Sequence, residues 1–168
     1  MLRALLALTV LTVLAAASVA SGKADKRYWP TIDGVFRQAH SKARTFKGTD
    51  RSDKLLGGHG SDTLRGRGDS DVLWGDHKPS GQPARQRDRI YGGGGSDFIY
   101  GSHGRNRIYG GKGNDAISAH YGRGTIDCGP GRDIYHVPRS LKRRYKVRNC
   151  EKVDRRPESE RGGLKPLS

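Results

Sequence analysis

Large apolar residues recur at intervals of nine along the middle of the chain. Nine consecutive units run from Gly48 to His136, and the eighth place is aliphatic in every unit except the last, where it is tyrosine. These residues are Leu55, Leu64, Leu73, Ile90, Ile99, Ile108, Ile117, Ile126 and Tyr135. One apolar place between two outward places predicts a short strand that buries a single side chain. Short repeats of this kind predict a solenoid, in which each unit buries its strand against its neighbours.

An acidic residue stands two places before the apolar residue in most units. The sixth places are Asp53, Asp62, Asp71, Asp88, Asp97, Asn106, Asp115, Gly124 and Asp133. A glycine-rich turn precedes them, and the fourth unit, residues 75–91, carries eight extra residues. A Gly-rich low-complexity linker is the alternative interpretation. A linker would not keep a large apolar residue at every eighth place.

The units resemble the RTX family of hemolysin-type calcium-binding repeats, whose consensus is GGxGxDxUx with U a large apolar residue. The resemblance is strongest at GGHGSDTLR (57–65), GGGGSDFIY (92–100) and GGKGNDAIS (110–118). It implies an all-β fold, a right-handed parallel β-roll with six-residue turns and three-residue strands. It also implies that two units complete one coil, so that turns two units apart stack on one another.

Sorting the units by this rule gives two columns of turns. The odd column has a carboxylate at every level, namely Asp53, Asp71, Asp97, Asp115 and Asp133. In the even column, Asp62 and Asp88 are followed by Asn106 and Gly124. The acidic residues of the even column therefore run out, whereas those of the odd column do not.

The odd column suits Ca²⁺, which binds six to eight oxygen atoms from carboxylates and backbone carbonyls. The resemblance implies an ion between stacked turns, held by one Asp from each turn and by turn carbonyls. We expect Ca²⁺ as the cofactor, with four ions between the five odd aspartates and with Asp62 and Asp88 as weaker ligands. The expected carbonyl ligands belong to the turn glycines Gly92, Gly93, Gly95, Gly110, Gly111 and Gly113. The alternative is that the aspartates only cap turns, but stacked carboxylates would repel one another without a cation.

The outward places of the strands differ between the two columns. The odd strands give an apolar face that contains Trp74, Phe98 and Tyr100, and the even strands give an Arg–Tyr face. An exposed apolar patch on an exported protein marks a contact surface. The alternative is that a flanking segment folds over it, and the sequence leaves both open.

The flanks define the domain organisation. Residues 1–20 have the charge, apolar run and small-residue cleavage site of a signal peptide, so we expect a secreted, extracellular protein without a membrane span. Residues 21–47 are interpreted as a basic N-terminal cap or linker, 48–136 as the roll, 137–153 as a C-terminal cap and 154–168 as a disordered polar tail.

The chain has two cysteines, Cys128 and Cys150. In an exported protein an even pair indicates a disulfide, which we expect to close the C-terminal cap. The segments TIDCGPGRD and VRNCEKV around them resemble the closing piece of secreted actinobacterial RTX-repeat proteins.

Net charge is +15 and lies mainly in the flanks. The roll, 48–136, holds 13 Lys and Arg against 11 Asp and Glu. No HExxH, GxSxG or Cys–His nucleophile pattern occurs, so we do not expect an enzyme. The sequence predicts a secreted, non-enzymatic calcium-binding protein that folds around its ions. The alternative is a module that uses its basic flanks and Arg–Tyr face to bind acidic cell-surface or extracellular polymers, rather than nucleic acid.

The even turns also carry histidines. His59, His77 and His103 occupy third places, and His120 a second place. Stacked turns could align these rings as a transition-metal site, although histidines at turn tips are usually only solvated.

Overall fold

The computed structural model describes residues 29–77, 81 and 83–155. The predicted signal peptide, 1–20, lies outside these residues, as does the tail from residue 156 onward. In the described part of the chain, strands alternate between two parallel sheets, and each strand pairs with the strand two positions later. This arrangement confirms the all-β, parallel β-roll fold.

The seven-stranded sheet contains the odd-numbered strands in sequence order. They are β1 (Phe36–Gln38), β3 (Lys54–Leu56), β5 (Val72–Trp74), β7 (Phe98–Tyr100), β9 (Ala116–Ser118), β11 (Ile134–His136) and β13 (Lys152–Val153). The six-stranded sheet contains β2 (Thr45–Lys47), β4 (Thr63–Arg67), β6 (Arg87–Gly94), β8 (Arg105–Lys112), β10 (Arg123–Asp127) and β12 (Tyr145–Arg148). A 3₁₀ helix, Arg139–Arg144, joins β11 to β12.

The core is a double row of eighth-place side chains. In the seven-stranded sheet Leu55 pairs with Leu73 and Leu73 with Ile99, so the extra residues of the fourth unit do not shift the register. All eight aliphatic residues at these places are completely buried. Each of the first eight units thus contributes one fully buried eighth-place side chain, which is why a chain with only 33% hydrophobic residues can form a core.

The strands depart from the expected three residues in the six-stranded sheet. β6 and β8 are each eight residues long, whereas β5, β7 and β9 have three. The extra length arises because pairing continues into the following turn, where Gly93 lies opposite Gly111. The turns of the odd column are therefore held together by backbone pairing as well as by side chains.

The sheets extend beyond 48–136 in both directions. β1 and β2 belong to the segment interpreted as an N-terminal cap or linker, and they pair with β3 and β4. β12 and β13 continue the sheets after the last repeat unit. The solenoid is consequently longer than the run of recognisable repeats.

The outer face of the seven-stranded sheet is covered by the segment before β1. Trp29 and Ile32 pack against a cluster that includes Val72 and Phe98. The indole Nε1 of Trp29 donates a hydrogen bond to the Tyr100 hydroxyl at 3.0 Å. Of the two alternatives left open by the sequence, the structure favours a flanking segment that folds over the apolar face.

Cys128 and Cys150 follow the neighbouring strands β10 and β12. Their sulfur atoms lie at bonding distance, and their Cα atoms are 5.2 Å apart. The pair therefore links the last two levels of the six-stranded sheet. No helix in the described part of the chain is long and apolar enough to cross a membrane.

Candidate metal centre

The five odd-column aspartates lie in one buried stack. The Oδ1 atom of each later Asp accepts a hydrogen bond from the backbone N–H of the Asp one level earlier. These distances are 2.7 Å for Asp53–Asp71, 2.8 Å for Asp71–Asp97, 2.9 Å for Asp97–Asp115 and 2.7 Å for Asp115–Asp133. All five side chains are inaccessible to solvent. Fixed hydrogen bonds of this kind hold each carboxylate in a single orientation.

The second oxygen of most of these carboxylates has no protein partner. The Oδ2 atoms of Asp71, Asp97, Asp115 and Asp133 are buried and accept no hydrogen bond from the described residues. A buried carboxylate oxygen without a partner is costly, so four in one column require an explanation.

Each unpartnered oxygen of Asp71, Asp97 and Asp115 lies beside the first glycine of its own turn. A Cβ atom built on Gly92 would come within 3.0 Å of Asp97 Oδ2 and of the Gly110 carbonyl oxygen on the next level. Gly66 and Gly110 have the same surroundings, with Gly92 and Cys128 supplying the carbonyl. Carboxylate and carbonyl oxygens from two levels therefore converge where these turns have no side chain.

This donor set fits a hard divalent cation. Ca²⁺ prefers carboxylate and backbone carbonyl oxygens, and both kinds are present at each level. Burial, together with the neighbouring carboxylates, raises the pKa of Asp97 to about 9 and that of Asp71 and Asp115 to about 7. Burial likewise raises the pKa of Asp133 to about 6. A cation in contact with the column would favour the ionised form that burial disfavours.

The remaining turn glycines stack closely along the same column. The Gly93 carbonyl oxygen lies against Gly111, and the Gly95 carbonyl oxygen against Gly113, so closely that a Cβ atom would collide at both. Gly93 and Gly111 have φ angles of 126° and 122°, which favour glycine. In the third turn Arg67 and Asp69 occupy the corresponding places with φ of 100° and 62°. That turn thus keeps the backbone shape at a conformational cost.

The two ends of the odd column differ. Asp53 already has partners, because the Thr49 amide donates to its Oδ2 at 2.6 Å and the Val35 amide to its Oδ1 at 2.5 Å. At the other end, Glu151 accepts a hydrogen bond from the Asp133 amide at 2.7 Å, as an Asp does at earlier levels. The sequence interpretation missed Glu151, although it follows Asp133 by the same 18 residues.

The even column is held together by hydrogen bonds. Asp62 accepts from the amides of Arg44 at 2.7 Å and Gly58 at 3.0 Å, and Asp88 accepts from the Asp62 amide at 2.7 Å and from the Ser102 hydroxyl. Asn106 bonds to the Tyr145 hydroxyl at 2.9 Å. These contacts favour a turn-capping role for Asp62 and Asp88, which were expected as weaker ligands.

The enlarged fourth unit, 75–91, supplies two further buried polar groups to the even column. The Gln86 side chain bridges three turns, with bonds to the Gly60 amide at 3.3 Å, the Asp76 carboxylate at 3.2 Å and the His103 carbonyl at 3.1 Å. Asp76 and Gln86 are both buried. Neither residue belongs to the repeat pattern, so the nine-residue period contains no signal for them.

The histidines do not form the aligned row considered from the sequence. His77 bonds to Gln38 at 2.9 Å, and His103 stacks on Tyr121 with ring centroids 4.1 Å apart. Within residues 29–77, 81 and 83–155, no group of three or more His, Cys, Asp or Glu side chains is placed to hold a metal ion. These contacts give the transition-metal hypothesis no support among the described residues. The odd column offers two carboxylates per level, so any ion there needs carbonyl ligands as well.

Comparison with known families points to the same ion. A model of the RTX calcium-binding nonapeptide repeat matches residues 47–76 and 86–117, in four copies. The fold and the matched repeats define a calcium-binding β-roll segment and support an RTX-type protein. No curated protein and no solved structure matches the chain significantly.

Proposed function

We propose that the protein is a secreted, non-enzymatic calcium-binding β-roll whose folding depends on Ca²⁺ held between the turns of the odd column. The observation that carries the proposal is the set of buried, unpartnered Oδ2 atoms on Asp71, Asp97, Asp115 and Asp133. Together with the adjacent carbonyl oxygens, they supply the ligands that Ca²⁺ prefers.

The proposed ions lie between successive aspartates. The gaps Asp71/Asp97, Asp97/Asp115 and Asp115/Asp133 have an unpartnered carboxylate oxygen on both sides. The Asp53/Asp71 gap has an unpartnered carboxylate oxygen only on the Asp71 side, because the amide and hydroxyl of Thr49 donate hydrogen bonds to the Asp53 carboxylate. Glu151 makes a further gap after Asp133 a candidate. The turn glycines Gly92, Gly93, Gly95, Gly110, Gly111 and Gly113 allow close stacking and supply carbonyls.

Dependence of folding on calcium follows from the cost of burying the column. Without an ion, each carboxylate must either become protonated or remain charged beside its neighbours in a buried stack. An ion that binds only the folded chain stabilises it in proportion to the logarithm of its concentration over Kd. Binding and folding are then one process.

The test is far-UV circular dichroism of residues 21–168 during calcium titration after chelation. We expect a disordered spectrum with chelator and a β-rich spectrum with Ca²⁺. Mg²⁺ is the matched control, because its small radius and octahedral geometry suit these turns poorly, and it should restore little structure. A β-rich spectrum that is unchanged by both chelator and calcium would contradict the proposal.

Export is proposed from the signal-peptide pattern of residues 1–20. Mass spectrometry of protein recovered from the medium should give a mature chain that begins at Ser21. Recovery of the protein only inside cells, with Met1 retained, would contradict this part of the proposal.

A second candidate function is the binding of acidic cell-surface or extracellular polymers. It is favoured by one specific observation, the exposed arginines on the outer face of the six-stranded sheet, which have no acidic partner among the described residues.

A further inference from the structure

The outer face of the six-stranded sheet carries rows of aligned arginines. Arg87, Arg105 and Arg123 lie opposite one another on β6, β8 and β10, and Arg89 lies opposite Arg107. All five side chains are exposed. We call this surface the arginine face, defined by Arg65, Arg87, Arg89, Arg105, Arg107 and Arg123 together with Tyr91 and Tyr109.

Among the described residues, no acidic side chain forms an ion pair with the arginines of this face. Neighbouring strands are about 4.8 Å apart, and like charges directly opposite on such strands destabilise a sheet. The ion pairs of the described residues use Arg51, Arg67 and Arg148, whereas the aligned arginines have none. A bound anion would remove this repulsion, so the charge of the face is complementary to a polyanion.

The aromatic residues of the face are already stacked. The rings of Tyr91 and Tyr109 are 5.0 Å apart and nearly parallel, and the Arg65 guanidinium lies 4.5 Å from the centre of the Tyr91 ring. Single-stranded nucleic acids bind through bases that stack on open aromatic rings. Tyr91 has a neighbour on each face, so it offers no such platform. The Tyr91 ring is therefore closed to a base, and the contacts that the face offers in number are those of its six arginines.

The same face offers nothing for insertion into a lipid bilayer. The large hydrophobic residues that are exposed in the described chain are Phe36, Tyr121 and Val153. Phe36 and Val153 belong to the other sheet, and Tyr121 lies in a turn.

We infer that the arginine face binds a linear anionic polysaccharide that runs along the solenoid axis, with its carboxylate or sulfate groups paired with successive arginines. Arginine suits both groups because its planar fork donates two parallel hydrogen bonds. The inference rests on the proposed function, because the rows of arginine exist only when the roll is folded. The arginine face covers four neighbouring strands, β4, β6, β8 and β10, and therefore spans about 14 Å, which sets the length of polymer that it can contact.

The experiment is calorimetric titration of residues 21–168 with heparin oligosaccharides of increasing length, in calcium well above that needed for folding. Affinity should rise with length until the oligosaccharide spans the four strands of the arginine face, and it should fall as salt is added. The variant Arg89→Gln/Arg107→Gln should raise Kd by about tenfold, as expected for the loss of two exposed ion pairs.

The matched control is Arg37→Gln/Lys152→Gln, which removes the same charge from β1 and β13 on the opposite sheet. It should change Kd by less than about twofold. Equal weakening by both variants would mean that heparin senses only net charge and would overturn the inference. Tighter binding of oligo(dT) or of phosphatidylglycerol vesicles than of heparin would also overturn it.

Circular dichroism of the same samples separates the two proposals. A chain that folds with calcium but does not bind heparin contradicts only the inference about the arginine face. A chain that is folded without calcium contradicts the proposed function, and the paired variants still decide whether the arginine face binds the polysaccharide.

Discussion

The two oxygens of the Asp97 carboxylate have different surroundings. Oδ1 accepts a hydrogen bond from the Asp71 amide at 2.8 Å, whereas Oδ2 is buried and has no partner among the described residues. The side chain therefore organises the turn with one oxygen and leaves the other for a ligand. Asp62, by contrast, uses both oxygens on backbone amides.

Replacement of Asp97 by asparagine should have opposite effects with and without calcium. Asn keeps the Oδ1 acceptor but carries no charge, so Asp97→Asn should weaken calcium binding by about tenfold or more. Without calcium it should stabilise the folded state by about 1 kcal/mol or more, because asparagine is buried in neutral form without the uptake of a proton that the raised pKa of Asp97 requires. Calcium titration measures the first effect, and denaturant unfolding in the presence of chelator measures the second.

The matched control is Asp62→Asn, which we expect to change calcium affinity by less than about threefold. If both variants lowered affinity equally, the distinction between the two columns would be wrong.

The raised pKa values of the column predict how pH acts on the calcium-free chain. An unfolded Asp titrates near pH 4, whereas burial raises the pKa of Asp97 to about 9 and that of Asp71 and Asp115 to about 7. The folded state therefore binds more protons than the unfolded state between pH 4 and pH 9, and its stability falls as pH rises through that range.

In chelator, we expect structure to increase on acidification from pH 9 to pH 5, measured by circular dichroism. In saturating calcium the trend should be weaker or reversed, because protons compete with the ion. Calcium-free chain that gains structure as pH rises would contradict burial of the carboxylates.

At the scale of the turn, two glycines of one repeat differ in how much space a side chain would find. A Cβ atom at Gly92 would collide with Asp97 Oδ2 and the Gly110 carbonyl, whereas a Cβ atom at Gly94 would meet only the Arg67 carbonyl at 3.9 Å. Gly92→Ala should therefore destabilise the calcium-loaded fold by about 2 kcal/mol or more, and Gly94→Ala by less than about 1 kcal/mol. Thermal unfolding in calcium checks both, and equal destabilisation would contradict the convergence of oxygens beside Gly92.

The link between β10 and β12 predicts a role for the cysteine pair. In the chain-entropy model, a disulfide across the 22-residue separation stabilises by about 3 kcal/mol. Cys150→Ser should lower stability by that order, and reduction of the unmodified chain should produce the same loss.

The Cys128 carbonyl oxygen also lies beside Asp115 Oδ2, next to Gly110. Loss of the disulfide should therefore also weaken calcium binding in the gap between Asp115 and Asp133.

Intact-mass analysis of exported protein should give a chain two hydrogens lighter than the reduced form. Labelling of both cysteines by a thiol reagent without prior reduction would contradict the disulfide.

At the scale of the whole molecule, the repeat period allowed the fold and the register to be predicted. One large apolar residue per unit admits a single alignment of neighbouring strands, and all eight aliphatic residues are completely buried in that alignment. The stack of odd aspartates followed from the same period. These features depend only on spacing, which a sequence displays directly.

The contacts of the even column and the cover of the seven-stranded sheet could not be predicted, because they are made by residues outside the repeat pattern. Gln86 comes from the insertion, and Tyr145 comes from the segment after the last unit, 39 residues from its partner Asn106. Trp29, which covers Tyr100, is 71 residues away from it in sequence. Such contacts depend on how distant segments return to the solenoid, and no local spacing encodes them.

Within residues 29–155, the solenoid ends in strands that pair on one side only, β1 and β2 at one end and β12 and β13 at the other. Unpaired edges of parallel strands could join the ends of two molecules into a fibre. The first end carries Arg37 and Lys47, and the second carries Lys146, Arg148 and Lys152. Two ends of equal sign repel one another as they approach, so this charge disfavours end-to-end joining of two rolls, and screening by concentrated salt would weaken that protection.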